Sequence, residues 1–503
     1  MRPALPDRNA EIHKRLMKLF PAICIVLFLS FPPCAWSEDL ESPAAEKISA
    51  VEETGSALEE RKSSLKVVFS SSANGWDYAR AVLETAGVNL AVHSFSSIVN
   101  QSSWANVSLE TMKKNLTNPW RLWDDNTFFM NQMAHPYFGS LYFTSGRSNG
   151  LNFLASSILA AGGSFMWETF LEASTPSLPD FVTTTTAGMV TGEALYRLSM
   201  EASQISPVFL WLLSPMCGVT SILRGGRPTP AAGNIHSADI AFSGGMVTSA
   251  VSFPESPLSP SSADKNSFGY TTKIVYGNPY AHNSKELFDQ FFLRGDFYRG
   301  TNYEFSRLII DGALYAFSIF DSCRPETTAA LGFNYNYHRA SDINFSAGAL
   351  GLALRQRIVF DWGEISWDSQ LNYIFLGVTD NYFVLSGDSR VTLSKKQPAY
   401  SFRTGPEAKI AFALKNDSLV SIGLEASAQF LFSYPNSAQD SRIDGWSAIQ
   451  WAELSVERRI YAPFSIGIAD SFYHKYDHHT QIPCTEQIVN FVRLYIKLHL
   501  KPQ

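Results

Sequence analysis

The chain has no basis for a disulfide framework. Five cysteines occur in 503 residues. Cys24 and Cys34 fall in an apolar N-terminal run, and Cys217, Cys323 and Cys484 are odd in number and far apart, matching neither paired bridges nor a metal-ligand spacing. A basic excess is also missing. The formal charge of -6 and pI near 6.0 exclude a general nucleic-acid binder, which needs a cationic surface to displace counterions from phosphate. Charged residues make up only 17%, yet the mean hydropathy of -0.05 is too polar for a multi-helix membrane protein. No glycine-rich phosphate loop or paired-cysteine motif is present, so no cofactor is expected.

What the chain does have is alternation. From Ser418 to Tyr434, Val420, Ile422, Leu424, Ala426, Ala428, Phe430, Phe432 and Tyr434 fall on one side, and Ser421, Gly423, Glu425, Ser427, Gln429 and Ser433 on the other. A β-strand turns neighbouring side chains to opposite faces, so this stretch has one apolar and one polar face. The same pattern recurs around Leu331–Tyr337, Ile365–Phe375, Phe402–Leu414 and Val492–Leu500, the last ending close to the end of the chain. Many segments exceed the nine to eleven or so residues that a membrane strand requires. The expected fold is therefore mainly β: an antiparallel outer-membrane β-barrel of about twelve strands, an even number. A soluble β-sandwich, whose apolar faces would meet across a core, is the alternative.

An export signal is expected at the N-terminus, where Lys18 precedes the apolar run Leu19–Phe31, followed by Ala35-Trp36-Ser37. Met17 fits the start of such a signal better than Met1. Residues 1–37 are thus assigned to the signal, 38–64 to a polar linker, 65–230 to a helical region and 231–503 to the barrel, with Gly225, Gly226, Pro228 and Pro230 marking the break. Within the helical region, spacing predicts helices over 77–99 and from Ser108 to Leu116. After a turn-rich polar stretch, an apolar hairpin follows, Leu151–Glu172 and then about Leu178–Met200 behind a Ser177-Leu178-Pro179-Asp180 cap. Gly188 and Gly192 share a face and suit close helix pairing. The hairpin is expected to lie buried, inside or beneath the barrel, because its charges suit lipid poorly.

The most distinctive local text is His135-Pro136-Tyr137-Phe138-Gly139-Ser140, Tyr142, Arg147-Ser148-Asn149-Gly150, Gly163-Ser164, Trp167-Glu168, Glu172, Pro176-Ser177, Asp180, Gly192-Glu193 and Tyr196-Arg197. This ordered run, within about Trp123–Ser199, resembles the bacterial domain-of-unknown-function 3943 family of envelope proteins. The resemblance implies an architecture and no reaction. Read chemically, His135, Arg147, Glu193 and Arg197 could bind an anionic head group, or Glu168, Glu172 and Asp180 could hold a divalent cation through oxygen. The plainer reading is mutual neutralisation that fastens the hairpin to lumen residues such as Arg403, Glu407, Lys409, Glu425 and Arg493. His135, Glu168 and Glu193 are the candidate catalytic groups should the protein be an enzyme acting on envelope lipid. His135 with Ser140 or Ser145 lacks a nucleophile elbow, and His474, His478 and His479 beside Asp477 are expected in a solvated turn rather than a metal site. The reading is of an outer-membrane barrel with a structural, channel or ligand-binding role. Its expected partners are outer-membrane lipid, the barrel assembly machinery and a small molecule of unknown identity. A soluble periplasmic ligand binder is the remaining alternative.

Overall fold

The computed structural model describes residues 73–501 except 125, 226–232, 255, 257, 259–260, 281–285, 302, 319–325, 341–342, 387–390, 392–399, 417–419 and 436–440. The expected signal and linker, and most of the glycine-proline break, lie outside the described residues.

Alternating sequence becomes an outer-membrane-type barrel of twelve antiparallel strands. They are β1 Ile235–Ser252, β2 Ser261–Tyr276, β3 Phe291–Gly300, β4 Tyr303–Ser318, β5 Glu326–Ala340, β6 Asn344–Phe360, β7 Gly363–Asp380, β8 Tyr400–Lys415, β9 Ser421–Ser433, β10 Gly445–Tyr461, β11 Phe464–His479 and β12 Thr485–Lys501. The last strand returns to the first, pairing in register from Ser252 with Glu486 to Asp239 with His499 before a one-residue shift, and so leaves no sheet edge. One end of the barrel carries both β1's start and β12's finish, with two-residue turns at 361–362 and 462–463; this is the terminal end. The far end carries the longest connection, 381–399, and also the two-residue connection 301–302, while the terminal end carries the 14-residue connection 277–290 as well.

Strand β9 keeps the predicted faces. Ile422, Phe430 and Phe432 are exposed on the outer wall, whereas Glu425 reaches Lys273 of β2 across the lumen and Gln429 donates to Glu407 on the neighbouring strand β8. On β5, Asn334 and Asn336 point inward to Gln370 and Glu407, which puts Tyr335 and Tyr337 on the outer wall. Both tyrosines are nevertheless buried.

They are buried because the helical region packs there. Its helices are α1 Gly75–Ser94, α2 Leu109–Thr117, α3 His135–Ser148, α4 Phe153–Met166, α5 Leu178–Ser203, α6 Val208–Leu213 and α7 Pro215–Leu223, with a short α8 Tyr382–Leu385 in the barrel's far-end connection. Caps set the starts. Asn74 accepts from the Trp76 and Asp77 amides, Ser108 from Thr111, and Ser177 from Asp180, each satisfying donors that a first turn leaves open. Phe128, Phe143, Phe153, Ala187 and Val190 form one core with Phe291, Ile310, Phe333, Tyr335, Tyr337, Val378 and Phe402 of the outer wall. Phe128 stacks on Tyr337 near the far end, and Phe153 on Phe288 at the terminal end. The expectation of a hairpin inside or beneath the barrel is therefore corrected: it lies against the outside. The wall offers an apolar face there, whereas the lumen is filled by the barrel's own charges.

The tightest helix pairing also differs from the expected hairpin of α4 and α5. The main partner of α5 is α3, which spans part of the stretch read as turn-rich. Gly139 and Gly146 weaken the helical signal of α3, but Gly139 is what lets it pack. A Cβ on Gly139 would stand 1.8 Å from the Thr184 carbonyl oxygen, and one on Gly188 2.6 Å from the Gly139 carbonyl carbon. Gly188→Ala should cost about 1–3 kcal/mol, since backbone cannot yield to it. Gly87→Ala, in α1 with nothing within 4 Å, should be neutral or stabilising. Circular-dichroism melts of the helical signal check both; equal effects would contradict the close-packing account.

Candidate functional site

Alternation delivers every second side chain of each strand into the lumen, and at mid-height those side chains meet. Arg294 on β3, with none of its side chain exposed, donates to Asp296 at 3.0 Å, to Glu425 on β9 at 2.5 Å and to Glu453 on β10 at 2.6 Å. Arg307 on β4 donates to Asp296 at 2.5 Å, and Arg493 on β12 to Glu453 at 2.7 Å. Lys273 on β2 reaches Glu425, and Trp451 lies against both Arg294 and Arg307. Four cations thus converge on three carboxylates across the bore. Charges removed from water persist only when paired, and removing one partner from such a pair typically costs about 3–5 kcal/mol. The network therefore holds opposite walls together at mid-height.

Below it, toward the terminal end, lies a chamber of about 360 Å³ whose lining includes Tyr276, Gln290, Asp311, Arg355, Lys409 and Lys497. Lys409 donates to Asp311 at 2.7 Å, and Glu407 accepts from Asn336, Asn372 and Gln429. Above the network, Tyr303, Phe305, Ile343, Phe345 and Val489 enclose a small apolar pocket. Nearer the far rim, Lys475 is wholly buried between Asp380 at 2.7 Å and Asp477 at 2.8 Å.

The charged helical residues separate into two groups. At the terminal end, the Glu193 carboxylate is fully buried. It accepts from Arg147 Nη2 of α3 at 3.1 Å, with an ion-pair approach of 2.8 Å beside it, and from Arg197, one turn along α5, at 2.7 Å. Arg197 also donates to Glu286 at 3.0 Å and to the Leu287 carbonyl at 3.1 Å, just before β3. One carboxylate thereby ties two helices together and, through Arg197, ties them to the barrel. Arg147 and Arg197 also lie over the rings of Tyr196 and Tyr276.

At the far end of the same helices, His135 shares a hydrogen bond with Thr184 at 3.1 Å. Glu168 accepts from the Ser177 amide at 2.8 Å, and Asp180 is buried beside it. Burial pushes the Glu168 carboxyl up to about 8, reinforced by Glu172. Burial, with Asp124 next, also holds Asp180 well above the usual carboxylate range. Burial pulls His135 down, against the pull of Asp124. These groups favour their neutral forms.

Residues 120–211 match DUF3943, a domain of unknown function. The DUF3943 segment thus covers the π turn at Met130–Ala134, helices α3 to α5, and both charge groups. No curated protein matches the chain. Solved structures similar to it include the KdgM porin, at 8% identity over 52% of this chain and 98% of that one, TM-score 0.21. The COG4313 outer membrane channel from Pseudomonas putida F1 is 8% identical over 53% and 95%, TM-score 0.27. A Pseudomonas aeruginosa FadL homologue is 9% identical over 52% and 90%, TM-score 0.24.

The DUF3943 charges do not form one centre. Arg147, Glu193 and Arg197 meet as the sequence suggests, whereas His135 lies with Asp124, Glu168 and Asp180 at the other end of α3. Nor do they pair with the lumen: Glu407, Lys409, Glu425 and Arg493 bond within the barrel, and Arg403 donates to Ser401. The outer-wall seat of the helices puts a strand layer between them. His474, His478 and His479 are in strand β11 rather than a turn, where His474 bonds Glu486 and His479 the Ile443 carbonyl. Sequence reasoning missed Arg294, Asp296, Arg307 and Glu453, although Arg294 and Asp296 are spaced two apart on the polar side of β3.

The raised Glu168 carboxyl has a pH consequence. Between about 4.5 and 8 the unfolded chain loses this proton while the folded one keeps it, so stability falls as pH rises through that window and levels off above it. Glu168→Gln, which still offers an oxygen to the Ser177 amide, should flatten the fall. Helix melting followed across this range checks it, and an unchanged slope would rule Glu168 out as the source.

Proposed function

We propose that the protein is an outer-membrane barrel that holds a small solute in the chamber at the terminal end of its lumen, with the mid-height charge network closing the bore to free diffusion. The cross-lumen network is the observation that carries this reading. Cutting the bore there makes the chamber a dead-end pocket rather than part of an open pore. Two of the three two-residue connections lie at the terminal end and the longest connection, 381–399, at the opposite one, which favours a periplasmic terminal end despite the 14-residue 277–290, since outer-membrane barrels keep short turns on that side. On this reading the chain is exported by its N-terminal signal and inserted by the barrel assembly machinery. Conductance across planar bilayers tests it. The wild type should pass little current, and the double variant Arg294→Ala/Glu453→Ala, which removes charge of both signs, should conduct several-fold more. A wild type that conducts freely would sink the closed-bore reading.

Lipid, in the same proposal, surrounds both the bare barrel wall and the outward side of the helical region. Within helix α1 and its following π turn, Gly75–Val99, the most apolar 18-residue window has a mean hydropathy of 1.2, and only 22% of it is buried. Leu83, Ile98 and Ile158 are each at least 70% exposed, while Asn89, Asn149, Ser156 and Glu193 are among the most buried residues of the region. Apolar side chains outside and polar ones inside suit a hydrocarbon surrounding, not water. A nitroxide on Ile158→Cys, in a background without the native cysteines, should be relaxed more by oxygen than by an aqueous nickel chelate in reconstituted vesicles. The reverse order would place this face in water.

DUF3943 then acts as a brace: Glu193 is paired with two guanidinium groups that fasten α3, α5 and the barrel. That pairing favours a structural role over catalysis for Glu193.

A further inference from the structure

We infer that the lumen carries a serine-hydrolase centre at its terminal rim, formed by Ser465, His499 and Asp239 and suited to a small carboxylic ester. The inference uses the chamber of the preceding proposal as the substrate's place, but its chemistry stands apart from whether the bore is closed.

The three residues come from β11, β12 and β1, neighbours around the seam where the barrel closes. Ser465 Oγ lies 2.8 Å from His499 Nε2, and His499 Nδ1 lies 2.8 Å from Asp239 Oδ1. The order of atoms gives the chain a direction. An ionised Asp239 only accepts, so it fixes the proton on Nδ1 and leaves the Nε2 lone pair to accept from the Ser465 hydroxyl. Nucleophile, base and orienting carboxylate within hydrogen-bond reach define the serine triad by geometry, whatever the fold and the order along the chain. His499 faces the lumen, because Leu494, Ile496 and Leu500 of the same strand are exposed outside.

Two cations flank the nucleophile. In the strand registers Ser465 stands directly opposite Lys497 on one side and Arg459 on the other. Residues directly opposite share a face, so both cations belong to the lumen face that carries Ser465. Lys497 is held by Glu457, and Asp239, Lys497 and Glu457 all line the 360 Å³ chamber. Ser465 itself is only 1% exposed and of the three only Asp239 lines the chamber, so side chains at the chamber's edge must shift for a substrate to reach Oγ.

The reaction balances with water as the only co-reactant. Ser465 Oγ attacks the ester carbonyl carbon as its proton passes to His499 Nε2. The tetrahedral adduct expels the alcohol, which takes that proton. Water, deprotonated by His499, then attacks the acyl-serine, the carboxylic acid leaves, and the proton returns to Ser465. A histidine and aspartate from adjacent strands could instead serve only to bridge the rim, and the experiment separates these roles.

Full-length protein extracted in detergent is treated with a fluorophosphonate probe, and hydrolysis of p-nitrophenyl acetate is followed in parallel. The wild type should be labelled, with peptide mapping placing the adduct on Ser465, a result that needs no variant to fold. Ser465→Ala and His499→Gln, checked for heat-modifiable migration as folded barrels, should lose label and turnover. Asp239→Asn should slow turnover by roughly 10⁴-fold, the scale of losing the orienting carboxylate. Folded wild type that takes no label, or label that survives Ser465→Ala, would overturn the assignment. Unchanged conductance in Ser465→Ala accompanies a correct assignment and keeps this test separate from that of the closed bore.

Discussion

Hydrocarbon offers backbone amides and carbonyls no partner, so a strand can stand in it only when both of its edges are paired. The pairing of β1 with β12 meets that demand, and much else follows from it. Closing the sheet gives each strand an inside and an outside. Period-two alternation then sends Ile422 and Phe430 to lipid and Glu425 and Gln429 to the lumen. Charges confined to a narrow bore have little water to solvate them, and so they neutralise one another across it. Arg294 reaching Glu425 and Glu453 on the opposite wall is the direct result. The cross-lumen network and the chamber lined by charged side chains are products of the same constraint.

The helical region obeys the complementary rule. Its apolar contacts are spent on the outer wall, where Tyr335, Tyr337 and Phe402 offer a matching surface. Its polar groups turn inward on themselves, and Glu193 is the clearest instance: a fully buried carboxylate is tolerable only because Arg147 and Arg197 both donate to it. Through Arg197 the same contact reaches the Glu286–Leu287 turn, so the brace and the barrel share one electrostatic anchor. Glu168 and Asp180, without guanidinium groups so close, shift toward their neutral forms instead.

Much of the wall was legible because alternation is a local signal: each residue's face depends only on its neighbours. The caps at Ser108 and Ser177 were legible for the same reason. Helix α3 was not, since Gly139 and Gly146 speak against a helix locally and the stabilising contact, Gly139 against Gly188, lies far away in sequence. The hairpin's seat was misjudged because its charges were assumed to seek the lumen, where Arg403, Glu407, Lys409, Glu425 and Arg493 already had partners within the barrel. Of the suggested site, the Arg147, Glu193 and Arg197 group was readable from helical spacing and its antiparallel logic. His135 was grouped with it although α3 carries the two ends of the motif apart.

By itself the sequence determined the class of strand, the inward or outward side of most of its residues, and the composition of the helical brace, because these depend on spacing along the chain. Only the tertiary structure decided which charges meet across the bore, which wall the helices cover, and that Ser465, His499 and Asp239 touch. Those contacts join residues as distant as Asp239 and His499, and their distances are set by closure and strand register. No run of neighbouring residues encodes either quantity.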